Sequence, residues 1–242
     1  MCATKGGKQI LQESQIEKNI VLIKNRVKAA CKRAGRDSDD VTIVAVSKSV
    51  DIETASRVVE GGIRDLGENR AKEIVNKFNA IQEEIRWHFV GHLQRNKVKD
   101  LIEFVDLIHS LESIPLAEEI NKRAKEIGKI QDVLVEVNVS GEKSKYGLHP
   151  DQVFGFIKQV KDFDNLRIKG LMTMAPYGAM EERVRSVFSH LRNIRETLAA
   201  DGILLDHLSM GMTDDFELAI EEGADIVRIG RAFFIDVDGK YA

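Results

Sequence analysis

Apolar positions recur at helical spacing near the start of the chain. Ile16, Ile20, Ile23, Val27 and Ala30 are separated by 4, 3, 4 and 3 residues. That spacing predicts one apolar face on a helix over about 14–34, with Gly35 ending it. A different rhythm follows. Eight short runs, mostly apolar, lie at 41–47, 62–67, 86–91, 105–111, 132–140, 167–174, 204–210 and 225–230. Helical patterns separate them, at about 51–60, 69–83, 94–103, 113–128, 150–162, 179–201 and 213–223. The helix over 179–201 shows its apolar face in Val184, Val187, Phe188, Leu191, Ile194 and Leu198. Gly128, Gly202 and Gly223 fall at or just past helix ends, where glycine accepts the left-handed conformation.

Strands that alternate with helices imply a parallel sheet. Eight such units after a leading helix fit an α/β fold, a (β/α)8 TIM barrel with an additional N-terminal helix. The rival is an open doubly wound sheet, which commonly carries a GxGxxG turn after its first strand. Here the first strand ends in Ser47-Lys48-Ser49 instead. Only three prolines occur, no composition shift divides the chain, and residues 1–242 read as one domain.

Composition narrows the function classes. The chain is 43% hydrophobic and 31% charged, with a net charge of −3. Nothing in that balance draws it to nucleic acid or to an anionic membrane. No apolar run reaches the roughly 18 residues of a membrane span, and the N-terminus lacks an apolar signal core. Cys2 and Cys31 are too few for a disulfide framework. The expectation is a cytoplasmic protein.

In a barrel of this kind the active site forms at the C-terminal strand ends. Polar side chains gather there: Lys48; Glu68 and Asn69; His88, His92 and Gln94; His109 and Ser110; Glu136, Asn138 and Ser140; Thr173; His207 and Ser209; Arg228 and Arg231. Lys48 stands out, because an apolar strand delivers it. It reads equally as a lysine snorkelling to solvent and as a nucleophile forming a Schiff base. The carbonyl could belong to a sugar or keto acid, or to pyridoxal phosphate (PLP). Ser209, Gly230 and Arg231 end strands 7 and 8, where barrels often bind phosphate. Helix 213–223 would repel an anion, since Asp214, Asp215 and Glu217 crowd its start. Arg228 points opposite to Val227 and Ile229. If it faces inward it needs a partner: a pyridine nitrogen, or a carboxylate such as Glu136. His88 and His92 lack a third ligand at usable spacing, so no metal site is expected.

Six segments taken together resemble the YggS-type PLP-binding proteins, the PLP homeostasis family. They are AVSKSV around Lys48, GENRAKE (67–73), WHFVGHLQRNK (87–97), GLMTMAP (170–176), LSMGMTDDFELAI (208–220) and GADIVRIGRAFF (223–234). The resemblance implies a single-domain barrel like the N-terminal domain of alanine racemase, a fold type III PLP protein. It implies PLP joined covalently to Lys48, Asn69 near the phenolic oxygen and Arg228 at the ring nitrogen. Ser209, Gly230 and residue 231 would hold the phosphate. It further implies a carrier or buffer of PLP in vitamin B6 and amino-acid balance, with PLP-dependent apoenzymes as recipients. Two departures stand out. Arg231 replaces the Thr of many members, and Phe234-Ile235 replaces a Phe-Gly pair.

A non-catalytic carrier is the leading expectation and a PLP-dependent amino-acid racemase the alternative. Racemisation needs a base on each face of the carbanion. Lys48 could serve one face, and Tyr146 and Tyr177 follow strands 5 and 6. A cofactor-free aldolase would leave Arg228 and the Ser209–Gly230 pair less well explained. Lys143 and Lys145 read as exposed, or as holders of a second PLP. With no extra interface segment evident, the expected state is a monomer.

Overall fold

The computed structural model describes residues 13–48 and 50–235. Its strands are β1 (Thr42–Val46), β2 (Asp65–Glu68), β3 (Arg86–Phe89), β4 (Leu107–Leu111), β5 (Gln131–Glu136), β6 (Leu166–Met172), β7 (His207–Ser209) and β8 (Ile226–Ile229). They close in sequence order into a parallel barrel, with β8 pairing back onto β1. The helices are α1 (Glu13–Arg33), α2 (Ile52–Glu60), α3 (Ala71–Phe78), α4 (Val98–Leu101), α5 (Ile114–Glu126), α6 (Val153–Val160), α7 (Glu181–Ala200), α8 (Phe216–Glu221) and α9 (Arg231–Phe234). The barrel expected from the alternating pattern is the one observed.

Two expectations on helix length need correction. The helix expected over 94–103 shrinks to a 3-10 turn, Arg95–Lys97, and the single turn of α4. Only Val98, Leu101 and Ile102 of that stretch are buried, too little apolar surface to seat a longer helix. The helix expected over 213–223 begins at Phe216. Asp215 turns its carboxylate back to the Met212 N–H, 2.6 Å away, which holds 212–215 as a loop. The four-residue α9, directly after Gly230, was not expected from the pattern.

Two apolar cores follow from strand alternation. The larger lies between the sheet and the helices. A smaller one, Val44, Leu107, Leu134, Met172 and Ile226, fills the barrel axis. Because side chains alternate along a strand, Val44 inside sets Val46 and then Lys48 toward the mouth. The register repeats this around the barrel. Val44 pairs with Asp65 and Val46 with Gly67, so Lys48 and Asn69 each lie two residues beyond a matched pair. Val44 also pairs with Arg228 on the other side. Gly67 is required inside. A Cβ there would lie 2.9 Å from Val44 Cγ1 and 3.3 Å from Val46 Cγ2.

Helix α1 packs against α8, α9 and α2. Ile16, Ile20, Ile23, Val27 and Ala30 are all buried, as their spacing predicts. Arg26 grips Glu217 of α8 at 3.2 and 2.8 Å, and Asn19 donates to the carbonyls of Phe233 and Ile235 at 3.0 and 2.9 Å. The leading helix therefore braces the segment that follows Gly230. Cys31 is buried in α1, whereas Cys2 lies outside the described residues.

Candidate functional site

Lys48 lies two residues beyond β1, at the mouth, and is exposed. What is buried is the backbone just before it. Ser47 is fully buried; its hydroxyl donates to Glu68 Oε1 at 2.7 Å, and its carbonyl accepts from Lys77 Nζ at 2.7 Å. Lys77 also pairs with Glu68 at 2.6 Å, outside the barrel wall and under α3. So Glu68, counted among the mouth residues from sequence, faces away from the mouth and fixes the strand that presents Lys48. Ser49 lies outside the described residues.

Asn69 follows β2 and is half-buried. A Cβ at Gly91 would lie 2.5 Å from the Asn69 carbonyl oxygen, so only glycine lets the end of β3 pass so close. At β8, Gly230 caps α9. A Cβ there would lie 3.4 Å from the carbonyl oxygen of Val46, which packs Gly230 beside the strand leading to Lys48. Arg231 is ion-paired with Asp214 of the loop after β7, so its charge is already engaged.

Arg228 does face inward. It is 4% exposed, and donates from Nη1 to Ser209 Oγ at 2.5 Å and from Nη2 to the Thr173 carbonyl at 3.0 Å. Among the described residues no carboxylate forms an ion pair with it, so the expected alternative partner, Glu136, does not take that part. Burial pulls its pKa down to about 10, opposed by the nearby charges of Glu136 and Asp215. The guanidinium thus stays charged at neutral pH, and it has more donors than these two bonds use.

Ser209 ends β7 and is fully buried. His109 Nδ1 lies 3.0 Å from its hydroxyl, and His109 Nε2 lies 3.0 Å from His88 Nδ1. His88 Nε2 lies 2.9 Å from Asp65 Oδ1, and Arg86 clamps that carboxylate at 2.8 and 2.7 Å. Burial, then the charges of His88 and Arg228, drive the His109 pKa well below its usual value. His88 and His207 sit deeper than their place among the mouth residues suggests: His88 is in mid-strand and His207 begins β7.

Across the mouth Glu136 ends β5. Burial, then the charge of Glu112, pushes it up to about 7, with Arg228 opposing. Glu112 accepts from Gly147 N at 2.8 Å and lies 3.1 Å from His92 Nδ1. The His92 ring stacks on Tyr146 with centroids 3.7 Å apart. Lys145 is tied to Glu142 and to the Met174 carbonyl, while Lys143 is exposed. Asp65, Lys77 and Glu112 went unnoticed in the sequence, and Asp215 was noted there only as a charge that would repel an anion. The alternation Asp65, Gly67, Asn69 was the one local signal for Asp65.

The family model described as alanine racemase, N-terminal domain, matches residues 15–237. The pyridoxal phosphate homeostasis protein of Aquifex aeolicus is 44% identical over 211 residues, 86% of this chain and 92% of that protein. The chain belongs to the pyridoxal phosphate homeostasis family. An unknown protein from Bifidobacterium adolescentis, 35% identical, superposes with a TM-score of 0.88 over 94% of this chain and 98% of its own. PipY of Synechococcus elongatus, solved with PLP bound, is 28% identical with a TM-score of 0.80, covering 90% of this chain and 99% of PipY. The family's barrel is the fold described above. Among the described residues no helix is long and apolar enough to cross a membrane, and no cluster of His, Cys, Asp or Glu could hold a metal ion.

Proposed function

We propose that this chain binds PLP in the barrel mouth, covalently through Lys48, and carries or buffers it without catalytic turnover. The observation that carries the reading is Arg228. A charged guanidinium buried in the barrel, with donors to spare and no ion-pair partner among the described residues, suits a neutral ring nitrogen. Lys48 supplies a solvent-accessible amine at the same mouth. Asn69 borders it.

The bound group would bring an aldehyde that a lysine amine can engage reversibly, which is the chemistry of storage and release. Arg228 would donate to the ring nitrogen without protonating it, which would leave the bound group a weaker electron sink. The phosphate falls to the backbone N–H groups after Gly230 and to Arg231, whose charge it would share with Asp214. Ser209 contributes through Arg228, because its hydroxyl is already bound inside. The names of the relatives support a homeostatic role, and we extend it to a monomeric, cytoplasmic carrier that serves PLP-dependent apoenzymes.

Absorbance of the protein after incubation with PLP tests this. The expected result is a yellow protein, bleached by borohydride with label retained at Lys48, and no such band in Lys48→Ala. A colourless wild type sinks the reading. Exchange of α-deuterium into amino acids at appreciable turnover would instead favour a racemase. Tyr177, at 89% exposure, and Tyr146, stacked on His92, offer little as a second base.

A further inference from the structure

Four buried polar side chains connect Arg228 to the far end of the barrel. Asp65 begins β2, His88 lies in β3, His109 in β4 and Ser209 at the end of β7. Their exposures are 6%, 4%, 0% and 0%, and the apolar axis of Val44, Leu107, Leu134, Met172 and Ile226 surrounds them. Apolar side chains would fill this space at lower cost, because a buried polar group is expensive unless fully bonded. We propose that Asp65, His88, His109 and Ser209 form a one-way hydrogen-bond relay that positions Arg228, with the direction of each proton set by Asp65.

The direction follows link by link. Arg86 clamps the Asp65 carboxylate, which can only accept, so His88 carries its proton on Nε2. His88 Nδ1 is then an acceptor, and the facing His109 Nε2 must donate. A neutral His109 has one proton, so its Nδ1 accepts, and the Ser209 hydroxyl donates to it. The Ser209 oxygen is left to receive Arg228 Nη1, while Thr173 receives Nη2. Two fixed acceptors, one ending β7 and one just after β6, hold the guanidinium plane. The opposite polarity needs His88 as an imidazolium. That would place a further cation between Arg86 and Arg228, with Asp65 as the one carboxylate in the relay. The relay therefore runs from Arg228 to Asp65, and these four are positioning residues.

The consequence for the ring nitrogen rests on the PLP reading above; the proton directions do not. Long-range 1H–15N correlation on the PLP-free wild type reads the ring tautomers. Both His88 and His109 are expected as Nε2–H, and an Nδ1–H form of His109 would overturn the relay. Asp65→Asn, checked for a cooperative melt, is expected to move at least one of these rings toward Nδ1–H; unchanged tautomers would refute Asp65 as the source of direction. With PLP added, Ser209→Ala is expected to weaken binding roughly ten- to hundredfold, the loss of one bond to a charged group. Asp65→Asn is expected to shift the absorbance maximum of the lysine-bound chromophore from the opposite end of the barrel. An unshifted spectrum and unchanged affinity refute the positioning of Arg228. A colourless wild type removes the PLP reading and the ring-nitrogen part with it, while the tautomers still decide the relay.

Discussion

Lys77 Nζ lies 2.7 Å from the carbonyl oxygen of Ser47, one residue before Lys48. The same ammonium pairs with Glu68 Oε1 at 2.6 Å, and both side chains are buried. A lysine on α3 therefore sets the end of β1. Breaking a buried pair leaves an uncompensated charge, whereas replacing both partners by apolar groups is close to neutral. Lys77→Met is expected to cost about 3–5 kcal/mol in urea denaturation. Adding Glu68→Leu should restore most of it. A double variant no better than the single would show that the pair is not the unit that matters.

Glu136 gives the chain a pH-dependent stability. Its pKa is raised from 4.5 to about 7, chiefly by burial. The folded state thus holds the proton more tightly than the unfolded state. The contribution is full below pH 4.5 and is lost as pH rises through about 7. Glu136→Gln is expected to match wild type at pH 4 and to exceed it at pH 8 by on the order of 3 kcal/mol. Equal stability at both pH values would contradict the assignment.

Inside the barrel, Gly67 leaves room for the valines of β1. A Cβ 2.9 Å from Val44 Cγ1 must displace a stiff, packed side chain. Gly67→Ala is expected to destabilise by roughly 1–3 kcal/mol, measured by chemical denaturation. Val44→Ala in the same chain should recover part of that loss, a coupling a double-mutant cycle reads directly.

The loop after β5 is latched to the loop after β3. Tyr146 stacks on His92 at 3.7 Å, and Glu112 ties His92 to the Gly147 N–H. Tyr146→Ala is expected to raise hydrogen exchange at the Gly147 amide while amides of β5 stay protected. In PLP-loaded protein it should also shorten retention of the chromophore on dilution. Unchanged exchange at Gly147 would show that the stack is not the latch.

Periodicity determined the leading helix and the alternation of eight strands with helices, because burial writes its spacing into local sequence, and the Ser47-Lys48-Ser49 end of the first strand in place of a GxGxxG turn favoured the closed barrel. Lys48, Asn69, Arg228 and Gly230 could be singled out as candidates because each ends, or sits near the end of, an apolar run. The tertiary structure decided what those residues touch. Lys77 looks like a surface lysine on a helix, and only the packing of α3 on β2 buries it against Glu68. His109 and Ser209 meet 100 residues apart. Nothing within either strand says that its polar side chain will find the other across the axis. Closure supplies that fact. It brings distant inward-facing positions to one line, where a buried proton donor must find an acceptor, and it sets the Ser209 hydroxyl between His109 and Arg228.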